Sequence, residues 1–322
     1  MQQPVVSIVI ATYNRAALLR RTLRSVLDQR AGTVPFEVIV VDNNSVDDTE
    51  AVVTSMQASA GSPLRYFKET RQGNAYARNT GIGHANASII AFTDDDVTVS
   101  PDWVQRIVES FQANPAAGFV GGPVLPIWDG SPPTWLTAER WAPIGALDYG
   151  SSPFEISGRD PRCLLAANLA IRRDVLDRVG AFMPSLQRVK DGIGSMEDHE
   201  LINRLCGHGE RGNYVPAAVA STAISPERLS RRYHRRWHRG HGRFYARLSD
   251  PHYERSKVIV FGVPLNMYRQ AVGSALRWIQ AVIGRDTQAG YGYESQFWFA
   301  VGFIDARARH GAGRHPDNGS HL

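Results

Sequence analysis

A chain of 322 residues with 43% hydrophobic and 21% charged side chains has room for one large domain or a domain with an appendage, and is too apolar to remain disordered. The net charge of +5 is modest, and the two cysteines, Cys163 and Cys206, argue against a disulfide framework and have no metal-ligand spacing. Val5–Ile10 is too short for a secretory leader, and no run reaches the ~18 apolar residues of a spanning helix, so a cytoplasmic chain without membrane spans is expected.

The first half alternates strand and helix signals, which predicts α/β architecture: a mostly parallel sheet flanked by helices. Val5–Ala11 reads as a buried strand. Asn14 is placed to cap a helix whose Leu19, Leu23, Val26 and Leu27 recur at helical spacing. Phe36–Val41 is the second strand, ending at Asp42. The polar loop Asn43-Asn44-Ser45-Val46-Asp47-Asp48 opens a helix through the low fifties. Leu64–Lys68 is a short third strand, Gly73–Ala85 a turn leading into a helix, and Ser88–Thr93 a fourth strand. Ser100-Pro101-Asp102 predicts a helix with serine at its cap and proline at its first position. Cys163–Ile171 reads as another strand. Met196–Leu205 opens a helix after Asp191-Gly192-Ile193-Gly194-Ser195, with Leu201, Ile202 and Leu205 facing inward.

The fourth strand runs directly into Asp94-Asp95-Asp96. Adjacent carboxylates repel, so a fold keeps them together only with water or a cation between them. Strand alternation would put Asp94 and Asp96 on one side and Asp95 on the other. Two oxygen ligands suit Mg²⁺ or Mn²⁺, which take further ligands from water and substrate phosphates. A solvated turn capping the next helix gives the same composition. Thr12-Tyr13-Asn14 and Asp42 also fall at carboxyl ends of strands, where open α/β sheets bind ligands. No G-x-G-x-x-G or G-x-x-x-x-G-K-[ST] follows the first strand, which excludes a glycine cradle for the nucleotide. Glu197, Asp198 and Glu200 in a helix's first turn satisfy the helix dipole, or place Asp198 in the cleft as a base.

Taken together, Val6–Arg15, Val40–Thr49, Gly73 with Ala77-Arg78-Asn79-Thr80-Gly81-Ile82, Phe92–Asp96 and Glu197-Asp198 resemble the family 2 inverting glycosyltransferases of the GT-A fold, in family order over roughly residues 5 to 210. The resemblance implies a nucleotide-sugar donor, usually UDP-linked, and a divalent metal, Mn²⁺ or Mg²⁺. It implies that Asp42 accepts a hydrogen bond from the base, that Thr12, Tyr13 and Asn14 surround the nucleoside, and that Asp94 contacts ribose or metal. Asp96 would ligate the metal. The family's acidic pair falls on Asp94/Asp95, Asp95/Asp96 or Asp94/Asp96, and the same-side geometry favours the last, leaving Asp95 on the donor side. Arg78 either touches the donor or buttresses the aspartates. Asp198 is the candidate catalytic base, with Glu197, Asn168 and Trp135 assigned to the acceptor side or to positioning. The expected acceptor is a saccharide or a lipid-linked molecule, as in polysaccharide, glycolipid or glycoconjugate assembly. The alternative is a noncatalytic nucleotide-sugar-binding or nucleic-acid-binding protein on the same fold.

The expected organisation is a GT-A nucleotide-sugar-binding and catalytic domain over 1–225, a basic, amphipathic helical region over 226–310 and a disordered tail over 311–322. Gly122–Pro161 carries Trp128, Trp135 and Trp141 and shows little regular period. Arg231 to Arg243 interleaves cations with aromatics, which fits a diphosphate, anionic lipid headgroups or, least favoured, nucleic acid. Tyr268, Val272, Leu276, Ile279 and Ile283 make an apolar stripe, and a second apolar run spans Phe297–Ile304. The pair suits either peripheral contact with the inner face of the cell membrane or packing against protein.

Overall fold

The computed structural model describes residues 3–30, 34–186, 196–248 and 253–311. They form two compact units. The first comprises 3–30, 34–129, 144–186 and 196–224, and the second 130–143, 225–248 and 253–311.

In the first unit β1 (Val6–Thr12), α1 (Ala16–Leu27), β2 (Phe36–Asp42), α2 (Thr49–Gln57), β3 (Leu64–Lys68), α3 (Asn74–His84) and β4 (Ile89–Asp94) follow one another. Then come β5 (Val97–Val99), α4 (Trp103–Ala113), β6 (Ala117–Gly121), β7 (Val124–Ile127), β8 (Phe154–Ile156), β9 (Leu169–Arg172) and α5 (Arg173–Val179). The unit ends with α6 (Glu197–Gly207), β10 (Arg211–Tyr214) and β11 (Ala220–Ala223). Among the described residues the main sheet has the order β3-β2-β1-β4-β9-β6-β10-β8. β3, β2, β1 and β4 are mutually parallel, β9 is antiparallel to β4 and β6, β10 is parallel to β6, and β8 is antiparallel to β10. A smaller sheet pairs β11 with β5 and β7.

Alternation along the strands supplies both faces of the main sheet. Val6, Ile8 and Ile10 pack with Leu19, Leu23, Val53 and Trp103 on the side of α1, α2 and α4. Val9, Ile39 and Val41 pack with Ala77, Ile82, Leu176 and Leu201 on the side of α3, α5 and α6. Every predicted parallel strand lies where its apolar run placed it. Several later strands were hidden: β6 contains Gly118 and Gly121, and β10 and β11 are four residues each with few β-branched side chains.

Several local expectations are corrected. Asn14 does not cap α1: it takes φ 51°, its Oδ1 accepts from Val46 N at 2.8 Å, and the helix starts at Ala16. α4 begins at Trp103 rather than at Pro101, with Ser100 O accepting from Trp103 N at 3.0 Å. The strand expected over Cys163–Ile171 is a 3₁₀ turn at Ala166–Asn168 followed by β9. Gly122–Pro161 carries β7, β8 and two 3₁₀ turns despite its composition.

The second unit contains α7 (Arg231–Leu248), a hairpin of β12 (Ile259–Val260) and β13 (Val263–Pro264), α8 (Leu265–Ile283) and α9 (Thr287–Gly311). Arg231, Arg235, Arg239 and Arg243 share one face of α7. Arg231 and Arg235 pair with Glu294, and Arg239 and Arg243 pair with Asp305, both on α9. Much of the basic run is thus offset within the unit. The second apolar run is packing: Phe299, Ala300 and Phe303 of α9 are buried. No helix among the described residues is long and apolar enough to cross a membrane. The expected tail beyond Gly311 and the Asp191–Ser195 segment lie outside the described residues.

Candidate active site

The carboxyl ends of β1, β2 and β4 converge, as parallel strands with neighbouring registers must: Thr12 lies opposite Asp42, and Ala11 opposite Asp94. β4 stops at Asp94, and Asp95-Asp96 form the turn into β5. The alternation expected to align Asp94 with Asp96 therefore does not apply, because the backbone is no longer extended. Two arginines sort the three charges instead. Arg15 Nη1 donates to Asp95 Oδ1 at 2.9 Å and to Asp96 Oδ2 at 3.1 Å. Thr12 Oγ1 donates to Asp95 Oδ2 at 2.8 Å. Burial pushes the Asp95 carboxyl up to about 6, against the pull of Arg15 and Thr12.

Asp94 belongs to the second arginine. Arg78 Nη2 donates to Asp94 Oδ1 at 2.8 Å, while Nη1 donates to Asp198 Oδ1 at 3.0 Å and lies 3.8 Å from Glu197. The guanidinium is buried, 5.1 Å over the Phe182 ring. Asn79 fixes Phe182 by exchanging two hydrogen bonds with its backbone, at 2.9 and 3.1 Å. Burial works against the Arg78 charge, but Asp198, Asp94 and Glu197 outweigh it and hold the group protonated. The α6 helix delivers Asp198 from the far side, where its Oδ2 also accepts from Ala166 N at 3.0 Å. Burial raises the Asp198 carboxyl above the ordinary range, with Arg78 and the Ala166 N–H pulling it down.

Asp42 is buried and holds its own loop: Oδ1 accepts from Ser45 N at 2.8 Å and Oδ2 from Tyr66 Oη at 2.6 Å. Asn14 N donates to Ser45 Oγ and Asn14 Oδ1 accepts from Val46 N, which zips the loops after β1 and β2 together. Tyr13 stands beside them with 44% of its surface open. Asn43 ties this edge to α3, donating to Glu69 O and Arg71 O and accepting from Gly73 N at 2.6 Å.

The strand placement of Asn168 is corrected. It sits in a 3₁₀ turn, fully buried, with Nδ2 donating to Pro123 O and Ala218 O and Oδ1 accepting from Trp103 Nε1. It is a structural pin. Trp135 lies in the second unit, 5.0 Å from the His234 ring and 4.7 Å from Tyr291, with Arg231 over its face at 4.4 Å. Sequence reasoning gave no role to Arg15, although it directly follows Asn14, or to Asn43. Tyr66 had no local signal at all, since its partner is 24 residues away.

No group of three or more His, Cys, Asp or Glu able to hold a metal by itself occurs among the described residues. Asp94 gives Arg78 only Oδ1 and keeps 35% of its side chain open, and Asp96 keeps 18%. A pair of partly open carboxylates fits a hard cation that completes its shell with phosphate oxygens and water, and does not fit one held by protein alone.

The model for Glycosyl transferase family 2 matches residues 7–180, more than half of the chain. An uncharacterised glycosyltransferase of Nostoc sp. is 32% identical over 184 residues, 57% of this chain and 56% of that protein. A glucosyl-dolichyl phosphate glucuronosyltransferase of Haloferax volcanii is 29% identical over 191 residues, 58% of each. The chain spans somewhat over half the length of these relatives. Among solved structures, the Pyrobaculum calidifontis mannosyltransferase in complex with GDP-Man and Mn²⁺ aligns with a TM-score of 0.55 at 19% identity, over 98% of this chain and 77% of its own. S. aureus TarS in complex with UDP-GlcNAc aligns at 0.56 and 14% identity, over 91% of both chains. These likenesses carry the GT-A fold. The family match and the motif-bearing strand ends agree: the chain belongs to glycosyl transferase family 2.

Proposed function

We propose that this protein transfers a sugar, with inversion, from a nucleotide-sugar donor to an acceptor hydroxyl. The observation that carries this reading is the Arg78 fork, which sets Asp94 and Asp198 on one guanidinium. In the reaction the acceptor oxygen bonds to the anomeric carbon as its bond to the diphosphate oxygen breaks. Asp198 takes the acceptor proton, and the nucleoside diphosphate leaves. Attack opposite the leaving group inverts the centre. Both Asp198 oxygens are already oriented by donors, so the carboxylate is fixed before the acceptor arrives, and burial makes it a stronger base than a solvated aspartate. Thr12, Tyr13, Asn14 and Asp42 line the nucleoside side.

Asp94 and Asp96 would hold a divalent ion, Mn²⁺ or Mg²⁺, together with the donor's diphosphate. When bound, that ion offsets the charge that builds on the leaving diphosphate. A UDP-sugar is the favoured donor and a saccharide or lipid-linked molecule the acceptor, with the protein working in the cytoplasm at a membrane surface. Its structural neighbours support a nucleotide-sugar: the TarS structure contains UDP-GlcNAc, and the mannosyltransferase structure GDP-Man with Mn²⁺.

Calorimetric titration of UDP, GDP and dTDP, each with Mn²⁺ and with chelator, tests the donor site. The expected result is metal-dependent binding of UDP that Asp96→Ala weakens at least ten-fold. Absence of binding by every nucleotide in both conditions overturns the proposal.

A further inference from the structure

The apolar stripe of α8 faces away from its own unit. Val272, Leu276, Ile279 and Ile283 are each more than half exposed. The opposite face does the packing: Met267 and Ser274 are buried, Ser274 Oγ meets Gln296 Oε1 at 3.3 Å, and the Trp278 ring lies 6.0 Å from Phe297, both partners on α9. An amphipathic helix in a water-bounded protein turns its aliphatic stripe inward. Here the inward side carries Met267, Ser274 and Trp278, and the aliphatic stripe is outside.

The β12–β13 hairpin extends the same surface. Leu265 N donates to Val258 O at 2.9 Å, and Tyr268 Oη donates to Val260 O at 3.3 Å. Tyr268 heads the stripe, four residues before Val272, so the hairpin is strapped to the stripe's own side. Its tip, Phe261, is 84% exposed at φ 50°, and Val258 and Ile259 are more than half exposed beside it. Contiguous aliphatic and aromatic exposure of this extent marks an interaction surface rather than the scattered apolar exposure of any soluble protein.

Charge selects the partner. From Glu254 to Asp286 the chain carries Arg255, Lys257, Arg269, Arg277 and Arg285 against the two terminal carboxylates, of which Glu254 pairs with Arg307. Lys257, Arg269 and Arg285 are exposed. A second copy docked on this face would bring this cationic excess against itself, with Asp286 as the further carboxylate of the stretch. A bilayer containing anionic phospholipid satisfies both features at once: the acyl boundary takes the stripe and Phe261, and the headgroups take the arginines and lysine.

We propose that the α8 stripe and the Phe261 hairpin tip form a surface that inserts shallowly into anionic phospholipid bilayers. The inference deepens the membrane-surface location suggested above and is separable from the transferase reading. The full chain is sedimented with vesicles of phosphatidylcholine alone and of phosphatidylcholine with phosphatidylglycerol. Wild type is expected to co-sediment with the anionic vesicles, less so at high salt and weakly with the neutral ones. Leu276→Glu/Ile279→Glu should need at least ten-fold more lipid, and Phe261→Ser several-fold more, while both keep wild-type UDP affinity and thermal midpoint. Because these side chains already face solvent, the substitutions leave packing intact; should the double variant melt early, Phe261→Ser carries the test. No wild-type binding to either vesicle overturns the inference and the membrane location together. Vesicle binding unchanged in the variants overturns this surface alone. A wild-type dimer in light scattering that the double variant dissolves assigns the stripe to a second copy and also overturns it. Loss of nucleotide binding with vesicle binding intact would instead count against the transferase reading.

Discussion

One guanidinium serves both ends of the proposed chemistry, so substitutions at Arg78 and Asp198 should differ in kind. Asp198→Asn removes the base and keeps the hydrogen-bonding shape; turnover should fall 10²- to 10⁴-fold, roughly, with UDP affinity unchanged by calorimetry. Because burial raises the Asp198 carboxyl, and a base works only when ionised, the acid limb of kcat/KM should lie above the ~4 of an ordinary aspartate, with rate lost as pH falls through it. Arg78→Lys replaces a fork by a point charge that can serve Asp94 or Asp198 but not both. Less counter-charge on Asp198 should move that limb to still higher pH, which a merely structural arginine would not do. Arg78→Met would leave three buried or half-buried carboxylates without their cation and should cost about 3–5 kcal/mol in denaturant unfolding. The strand-end carboxylates were legible because sheet topology places them. The surroundings of Asn168 were hidden because its three partners come from segments distant in sequence.

At the scale of elements, α7 and α9 show how a charged sequence can hide a packing function. Gly242 lies where a Cβ would fall on the Phe299 carbonyl, and Gly302 where one would fall on the Arg239 carbonyl. The two backbones touch through these glycines. The arginine rungs do not by themselves fix the alignment: moved by one turn, Glu294 would meet Arg235 and Arg239, and Asp305 would meet Arg243 and Arg247. Register therefore rests on the glycines. Gly242→Ala should destabilise the second unit by roughly 1–3 kcal/mol, read as an early transition in thermal or denaturant unfolding, despite alanine's better helix propensity. The sequence composition pointed at phosphate, lipid or nucleic acid, since the partners Glu294 and Asp305 lie some sixty residues away. The parallel strands were readable from their unbroken apolar runs. β6, β10 and β11 were not, because their stability comes from neighbours rather than from β-branched side chains.

For the molecule as a whole, a site with two partly open carboxylates couples its ligands. Mn²⁺ alone should bind weakly, and UDP in chelator weakly, whereas each should tighten the other by the same factor, since linkage is reciprocal. Calorimetry of Mn²⁺ into the protein with and without UDP measures that factor; tight binding of Mn²⁺ alone would mean that protein ligands beyond Asp94 and Asp96 take part. The Arg78–Asp198 bond has a further consequence. It spans 120 residues of sequence, and Asp198 lies beyond residue 180, where the family match ends. A chain still being synthesised, or a fragment cut at that boundary, would carry Arg78 with Asp94 but without Asp198 or Glu197, and the sheet would lack the Leu201, Ile202 and Leu205 side chains that cover it. The span matched by the family model thus leaves the buried cation with Asp94 alone of its three carboxylates until α6 is present.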